Sequence, residues 1–431
     1  MKITVFDGGA GDSVLVNSTK GRNVLFDGGK TGAYRANIAP TLDQLRSNGD
    51  ALDLVCVSHI DADHIEGVLA MLDAEFKWRV YDYQTTQGLS PRKPRVKRPP
   101  KIDEIWHNAF HEQLNRNKGQ VADMLAAARP ASLALGGGPT THGGDIFSRL
   151  ATSERQAALV SRRIGDKQLG VPLNKAFGGK LVARNGTPKT VKIGDMKITV
   201  LGPTTARLKE LRDEWNKWLR STKGKDQLAK IRRQASADER ALSNGDMQAF
   251  FNSLNLGPAV GNRDSVSESN ISSIVCLIEE KGRTLLMTGD ARDDHVYEDL
   301  VAAGLTDGQG RLHVDVLKIP HHGSENNYSL DFGQKVIADH YVFCGNGSHH
   351  NPDVEVINQL LDSRIGTPAQ QSKHPKVCDR FKLWFSADSK AKYAKKDHMK
   401  DLEQLVAKRC RASGKAFDYH FSPDESFDIS L

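Results

Sequence analysis

The residues best able to do chemistry together are Ser58-His59-Ile60-Asp61-Ala62-Asp63-His64, which follow an apolar run and precede a segment with helical spacing. Two histidines and two aspartates so close together cannot all be core residues, because unpaired buried carboxylates are costly. A loop at a strand end converges such side chains on one point. Divalent-metal ligation explains all four at once, since neutral imidazoles and carboxylates are ordinary ligands. A polar turn with Asp63 as a helix N-cap is the plainer alternative, but two more such places follow. Leu286-Met287-Thr288-Gly289-Asp290 ends an apolar run in a carboxylate, after a glycine that lets the backbone approach closely. Lys318-Ile319-Pro320-His321-His322-Gly323-Ser324 again follows an apolar run and carries a histidine pair. In Ser348-His349-His350-Asn351-Pro352, His350 reads either as a general acid for a leaving oxygen or phosphate contact, or as part of a solvated turn.

These groups need strands to carry them. Lys2–Phe6, Ser13–Asn17 and Asn23–Phe26 alternate or run apolar, punctuated by Asp7-Gly8-Gly9, Gly11-Asp12 and Asp27-Gly28-Gly29. Leu54–Ser58 reads as a buried strand and Ile65–Leu72 as a helix. Residues 84–101 carry four prolines and read as a loop, with a strand return at Lys101–His107. Leu181–Ala183, Lys197–Leu201, Ile271–Ile278, Thr284–Met287, Val314–Ile319 and Tyr341–Cys344 are further strand expectations. Leu208, Leu211, Trp215, Trp218 and Leu219 have helical spacing, with the tryptophans packing on the body. Strands alternating with helices make the class α/β.

The chain has 431 residues and a net charge of +7, with 38% hydrophobic and 26% charged residues, which excludes a wholly disordered protein. No run approaches the ~20 apolar residues of a membrane helix, and the opening residues lack the apolar stretch of a signal peptide, so a cytoplasmic protein is expected. Five cysteines without a CxxC pair argue against a disulfide scaffold. Charge is uneven. Residues 92–101 hold six basic and no acidic residues, residues 205–233 a net +6 and residues 373–415 a net +8, leaving −13 for the rest. Such segments are either solvated surface or the footprint of a polyanion, here a nucleic acid, with Arg92, Lys93, Arg95, Lys97, Arg98 and Lys101 as the candidate contacts.

Together the motifs resemble the metallo-β-lactamase superfamily. Its usual HxHxDH reads HxDxDH here, and with the HHGS stretch this resembles the hydrolase domain of the DNA-uptake competence proteins (ComEC-like), without their membrane channel. Phe6–Ser13 is similar to that branch's DVGQGDS turn, Val24–Gly29 to its second strand and acidic turn, and Ile198–Pro203 to the strand before its third motif. Asn270–Val275 resembles its NxxS strand start, and Gly345–Pro352 a later turn with His before Pro. The resemblance covers about 1–75, 190–203 and 269–362. It implies an αββα sandwich with a metal site at the rim of two sheets, in a hydrolase domain over 1–365 with insertions at about 76–189 and 204–268. A basic C-terminal extension, 366–431, follows.

By the same resemblance, His59 and Asp61 would hold one ion, and Asp63, His64 and one of His321 or His322 the other. Asp290 would bridge them, and Asp27 would orient the ligands from behind. Such a pair generates a hydroxide near neutral pH and neutralises the developing charge of an in-line displacement, with Asp63, Asp290 and His350 as the catalytic set. The superfamily's third-motif histidine is missing, and Asn270, His107, His142 or His350 are the candidates for its place. The oxygen-rich donor set tilts the choice from zinc toward manganese or magnesium. The expectation is therefore a two-metal phosphodiesterase or nuclease acting on DNA. The alternatives are a hydrolase of the same fold on a nucleotide, phospholipid headgroup, thioester or lactam, and a non-catalytic metal-binding regulatory module.

Overall fold

The structure is a computed structural model that describes residues 1–108, 156–157, 159–161, 163–166, 168–210 and 272–431. The strands in chain order are β1 (Lys2–Phe6), β2 (Val14–Asn17), β3 (Asn23–Phe26), β4 (Leu54–Cys56), β5 (Ile105–Trp106), β6 (Lys189–Ile193) and β7 (Met196–Gly202), then β8 (Val275–Glu280), β9 (Arg283–Met287), β10 (Leu312–Lys318), β11 (Val336–Phe343), β12 (Phe381–Phe385), β13 (Phe417–Phe421) and β14 (Ser426–Ser430). They form one sheet in the order β14-β1-β2-β3-β4-β5 and a second in the order β13-β12-β11-β10-β9-β8-β7-β6.

Alternation along the strands decides the layers. Ile3, Val5, Val24, Phe26, Leu54 and Cys56 point toward Met196, Ile198, Val200, Cys276, Ile278, Leu285 and Val316 of the other sheet and form the central core. Phe6, Leu15, Leu25 and Val55 face the opposite way, onto helices α1 (Ala39–Ser47) and α2 (Ala62–Thr86). The outer face of the second sheet buries Leu277, Leu286, Leu317, Tyr341, Leu383 and Phe417 against α3 (Asp293–Ala302), α4 (Leu330–Lys335), α5 (Val354–Ile365) and α6 (Lys396–Ala412). β9 through β13 run parallel, and one of these helices supplies each crossover that a parallel pair requires. The result is the expected αββα sandwich. Among the described residues, no helix is long and apolar enough to cross a membrane.

Several boundaries differ from the sequence reading. The helix expected over Ile65–Leu72 is α2, which continues to Thr86 because Trp78 and Tyr81 pack edge to face and Trp78 donates to the Val96 carbonyl. Leu181–Ala183 is no strand. Val182 exchanges both backbone hydrogen bonds with the Asn108 amide, so a side chain takes the role of a neighbouring strand. β5 lies in the stretch read as an insertion, yet it joins the first sheet beside β4. The stretch after 365, read as an appended extension, contributes β12 and β13 to the second sheet, and β14 pairs antiparallel with β1 at the edge of the first. A helix begins at Thr205, but Leu211, Trp215, Trp218, Leu219, His142 and Asn270 fall outside the described residues.

Candidate metal centre

The loops that follow strands of both sheets converge at one rim. β4 delivers His59, Asp61, Asp63 and His64; β9 delivers Asp290; β10 delivers His321 and His322. The β4 loop enters α2 through Asp61, whose side chain makes no capping hydrogen bond, so a cap does not explain the aspartates. His321 and His322 adopt left-handed backbone angles, φ 46° and 55°. Non-glycine residues in that region carry a cost of order 1–3 kcal/mol each, the kind of strain that clusters at functional sites. Gly289 sits at φ 52°, where a Cβ would meet the Ser58 and Ser273 side chains at 3.1 Å, so only glycine brings Asp290 this close to the β4 loop.

At the centre is one oxygen, Asp290 Oδ2. His64 Nε2 is 3.3 Å from it, His322 Nε2 3.4 Å, His321 Nε2 3.5 Å and His59 Nε2 3.6 Å. Asp63 Oδ2 lies 3.4 Å from His322 Nε2 and Asp61 Oδ2 3.7 Å from His59 Nε2. All seven expected ligand residues are therefore brought together.

Their orientation is set from behind. The His64 Nδ1–H donates to Asp27 Oδ2 at 2.9 Å, and that of His322 to Asp12 Oδ1 at 2.9 Å and the Cys344 carbonyl at 2.8 Å. His321 Nδ1 lies 2.8 Å from Asn327 Oδ1. The Ser58 hydroxyl donates to Asp27 Oδ2 at 2.7 Å, so its oxygen can accept from His59 Nδ1 at 3.1 Å. Each imidazole thus spends Nδ1 outward and keeps the Nε2 lone pair for the centre. His59 Nε2, His64 Nε2, His322 Nε2 and Asp290 Oδ1 are buried and make no hydrogen bond among the described residues. Inward lone pairs around a carboxylate oxygen are mutually repulsive on their own, and this nitrogen and oxygen set fits a divalent cation.

The electrostatics agree. Burial alone would raise the Asp290 carboxyl, but the imidazoles of His322, His64, His321 and His59 more than offset it and hold it well below the ordinary carboxylate range. Burial likewise opposes ionisation of Asp63, and His322 and His64 overcome it, so its carboxyl is also lowered. Burial lowers the His321 imidazole, whereas Asp290 and other carboxylates outweigh burial at His64 and His322 and raise both.

Two residues of the site went unassigned in the sequence. Asp12 is wholly buried and joins His64, Asp290 and His322 in a group whose ligand atoms lie within 4.8 Å of one another. Its Oδ2 is paired with the Lys318 ammonium, which also donates to the Gly289 carbonyl at 2.9 Å and stands 3.6 Å from Asp290 Oδ1. Asp12 is thus a support for His322. Both residues sat inside the quoted motifs, and a lysine at the end of an apolar run, three residues before a histidine pair, was the available signal.

The remaining candidates are not among these converging ligands. His107 is buried at the end of β5, with its backbone held on both sides by Asn174. His350 is exposed on the turn 348–350, its ring 5.6 Å from that of His398. In the basic loop, Lys97 pairs with Asp43, Arg98 with Glu75 and Asp82, and Lys101 with Asp103. Lys93 and Arg98 lie 5.6 Å from the Trp78 ring. Trp78 is fifteen residues beyond Asp63 on α2, about 22 Å at 1.5 Å per residue. Half of the loop's six cations are therefore paired within the fold, and the loop stands well away from the cluster.

Residues 6–147 match the metallo-beta-lactamase superfamily, and the four-layer sandwich with its rim cluster is consistent with the fold that this resemblance implied. No curated protein matches the chain. Among solved structures, the chain is similar to Zn(2+)-bound PqqB from Methylobacterium extorquens, at 10% identity over 100% of both chains with a TM-score of 0.35. It is also similar to a long form RNase Z from yeast, at 9% identity over 90% of this chain and 36% of that one, with a TM-score of 0.30. Likenesses this distant carry no weight for activity. The finer resemblance to the DNA-uptake branch rests on the sequence motifs alone.

Proposed function

We propose that the protein is a divalent-metal-dependent phosphodiesterase whose substrate is nucleic acid, with DNA as the first candidate. The observation that carries this reading is the convergence of four imidazole Nε2 atoms, with their Nδ1 sides occupied, on Asp290 Oδ2. His59 and Asp61 would hold one ion, Asp63, His64 and a histidine of the 321–322 pair a second, and Asp290 would stand between them. Divalent ions so held supply Lewis-acid polarisation of a phosphoryl oxygen and a nucleophile at neutral pH. The chain's own residues do the rest. Asp27, Asp12 and Asn327 fix the imidazole orientations, and Lys318 balances part of the carboxylate charge. His350, exposed on the neighbouring turn, would give the leaving oxygen its proton. With Asp61, Asp63 and Asp290 among the imidazoles, the mixed nitrogen and oxygen donor set accommodates manganese or magnesium as well as zinc.

The self-paired basic loop favours a second reading, a hydrolase of small phosphate or ester substrates that needs no polymer-binding surface. Incubating purified protein with labelled single- and double-stranded DNA and RNA, with Mn²⁺, Mg²⁺, Zn²⁺ or EDTA, separates the two. Metal-dependent shortening of a strand that EDTA abolishes is expected. Hydrolysis of a small chromogenic diester with every polymer left intact would establish the second reading instead.

A further inference from the structure

The third basic segment, read as part of a tail, is folded against the rim of the site. Asn346, buried in the turn after β11, ties it down: its side-chain amide donates to the Tyr393 carbonyl at 2.6 Å and its own carbonyl accepts from the Lys395 N–H at 2.8 Å. His398 lies 2.9 Å from the Pro352 carbonyl. The same turn backs the histidine pair, because Asn351 donates to the His321 carbonyl at 3.4 Å and Cys344 accepts from His322. On the other side, a Cβ at Gly32 would meet the Tyr393 hydroxyl at 3.5 Å. Gly32 lies in the helical stretch Thr31–Ala33 after the Asp27-Gly28-Gly29 loop, whose Gly28 N–H bonds the His64 carbonyl. Residues 388–400 therefore connect two loops that both border the cluster.

This segment carries Lys390, Lys392, Lys395, Lys396 and Lys400 against Asp388 and Asp397. All five lysines are exposed, and no carboxylate pairs with any of them among the described residues. Lys392 lies 5.1 Å from the Tyr393 ring. The contrast with residues 92–101 decides between the two segments: three of those six cations are paired and the loop stands about 22 Å along α2 from the site, whereas these are unpaired and beside it. Exposed ammonium groups held beside a carboxylate-rich centre are placed to neutralise backbone phosphates that flank a scissile one.

We infer that Lys390, Lys392, Lys395 and Lys396 dock the phosphate backbone of a nucleic-acid strand beside the metal cluster, an inference that rests on the phosphodiesterase reading. The test uses the full chain, a fluorescein-labelled 30-nucleotide DNA strand and anisotropy across a KCl series in Ca²⁺. Changing the four lysines to Ser should weaken binding at least tenfold near 0.1 M KCl and flatten the log–log salt slope by up to ~3, at ~0.7 for each phosphate no longer neutralised. It should leave hydrolysis of a chromogenic diester unchanged. A double variant, Lys392→Gln with Lys395→Gln, should lie between, and a matched melting temperature excludes misfolding. Changing Arg92, Lys93, Arg95, Lys97, Arg98 and Lys101 to Ser should move the slope by less than ~1. If the wild type binds and cuts the strand but the four-lysine variant keeps its slope, the docking assignment is overturned while the phosphodiesterase reading stands. If the wild type neither binds nor cuts any strand, both fall.

Discussion

The Lys318–Asp12 pair gives the sharpest energetic expectation. Both side chains are at most 1% exposed, and the pair joins the opening turn of the chain to the strand end that delivers His321 and His322. Burial would lower the Lys318 ammonium, but Asp12 and Asp290 raise it above the ordinary lysine range. Burial would raise the Asp12 carboxyl, and Lys318 with His322 brings it down. Lys318→Met leaves Asp12 ionised with one partner fewer, and Asp12→Asn leaves the ammonium without its counter-charge. Breaking a buried pair from one side costs about 3–5 kcal/mol, whereas replacing both partners is close to neutral. The double variant should therefore be far more stable than the sum of the singles implies, with a coupling of about 2–4 kcal/mol in a double-mutant cycle. Urea unfolding of chelator-treated protein measures it without added metal-binding energy. Single losses below about 1 kcal/mol that simply add would refute the argument that this pair holds the rim together.

Other expectations follow from particular contacts. Burial, with help from Glu425, lifts the Asp7 carboxyl from 3.8 to about 6 against the Gly9 N–H that lowers it. Because the folded value is the higher one, stability is lost as pH rises from about 4 to about 6. A shift of about 2 units at 1.36 kcal/mol each is about 3 kcal/mol. The stability advantage of Asp7→Asn should thus grow over that window and level off above it in pH-dependent unfolding; an advantage independent of pH would contradict the shift. Asp290→Ala should cost on the order of 10²–10⁴ in turnover with saturating metal while melting changes little; full turnover would remove Asp290 from the reaction. Gly67→Ala lies within α2, where alanine normally gains about 1 kcal/mol. Its Cβ would overlap the Gly28 carbonyl oxygen, so a loss of about 1–3 kcal/mol is expected in thermal unfolding, and a gain would contradict that close approach.

The convergence of these residues was legible in the sequence because metal chemistry needs particular residue types in short runs at strand ends, and His59–His64, Asp290 and His321–His322 keep those runs. The sandwich was legible for a related reason: several central strands run apolar, as strands covered on both faces do. What sequence could not supply was long-range pairing. Asp12 supports His322 across 310 positions, and no local pattern announces a partner that far away. The tail read as an extension because it is basic and carries none of the quoted motifs, yet Phe381, Leu383 and Phe385 alternate as a buried strand should. Nor does charge alone reveal pairing at residues 92–101, where the Asp43, Glu75, Asp82 and Asp103 carboxylates fold beside the basic run.

The central claim is that one cluster binds divalent metal through His59, Asp61, Asp63, His64, Asp290 and the 321–322 pair. Elemental analysis after gel filtration, on wild type and on the Asp63→Ala, His64→Ala double variant equilibrated with Mn²⁺ or Zn²⁺, tests it most directly. The account predicts two ions per wild-type chain and their loss in the double variant. Wild-type protein that takes up neither metal, or a double variant that retains both ions, would contradict it.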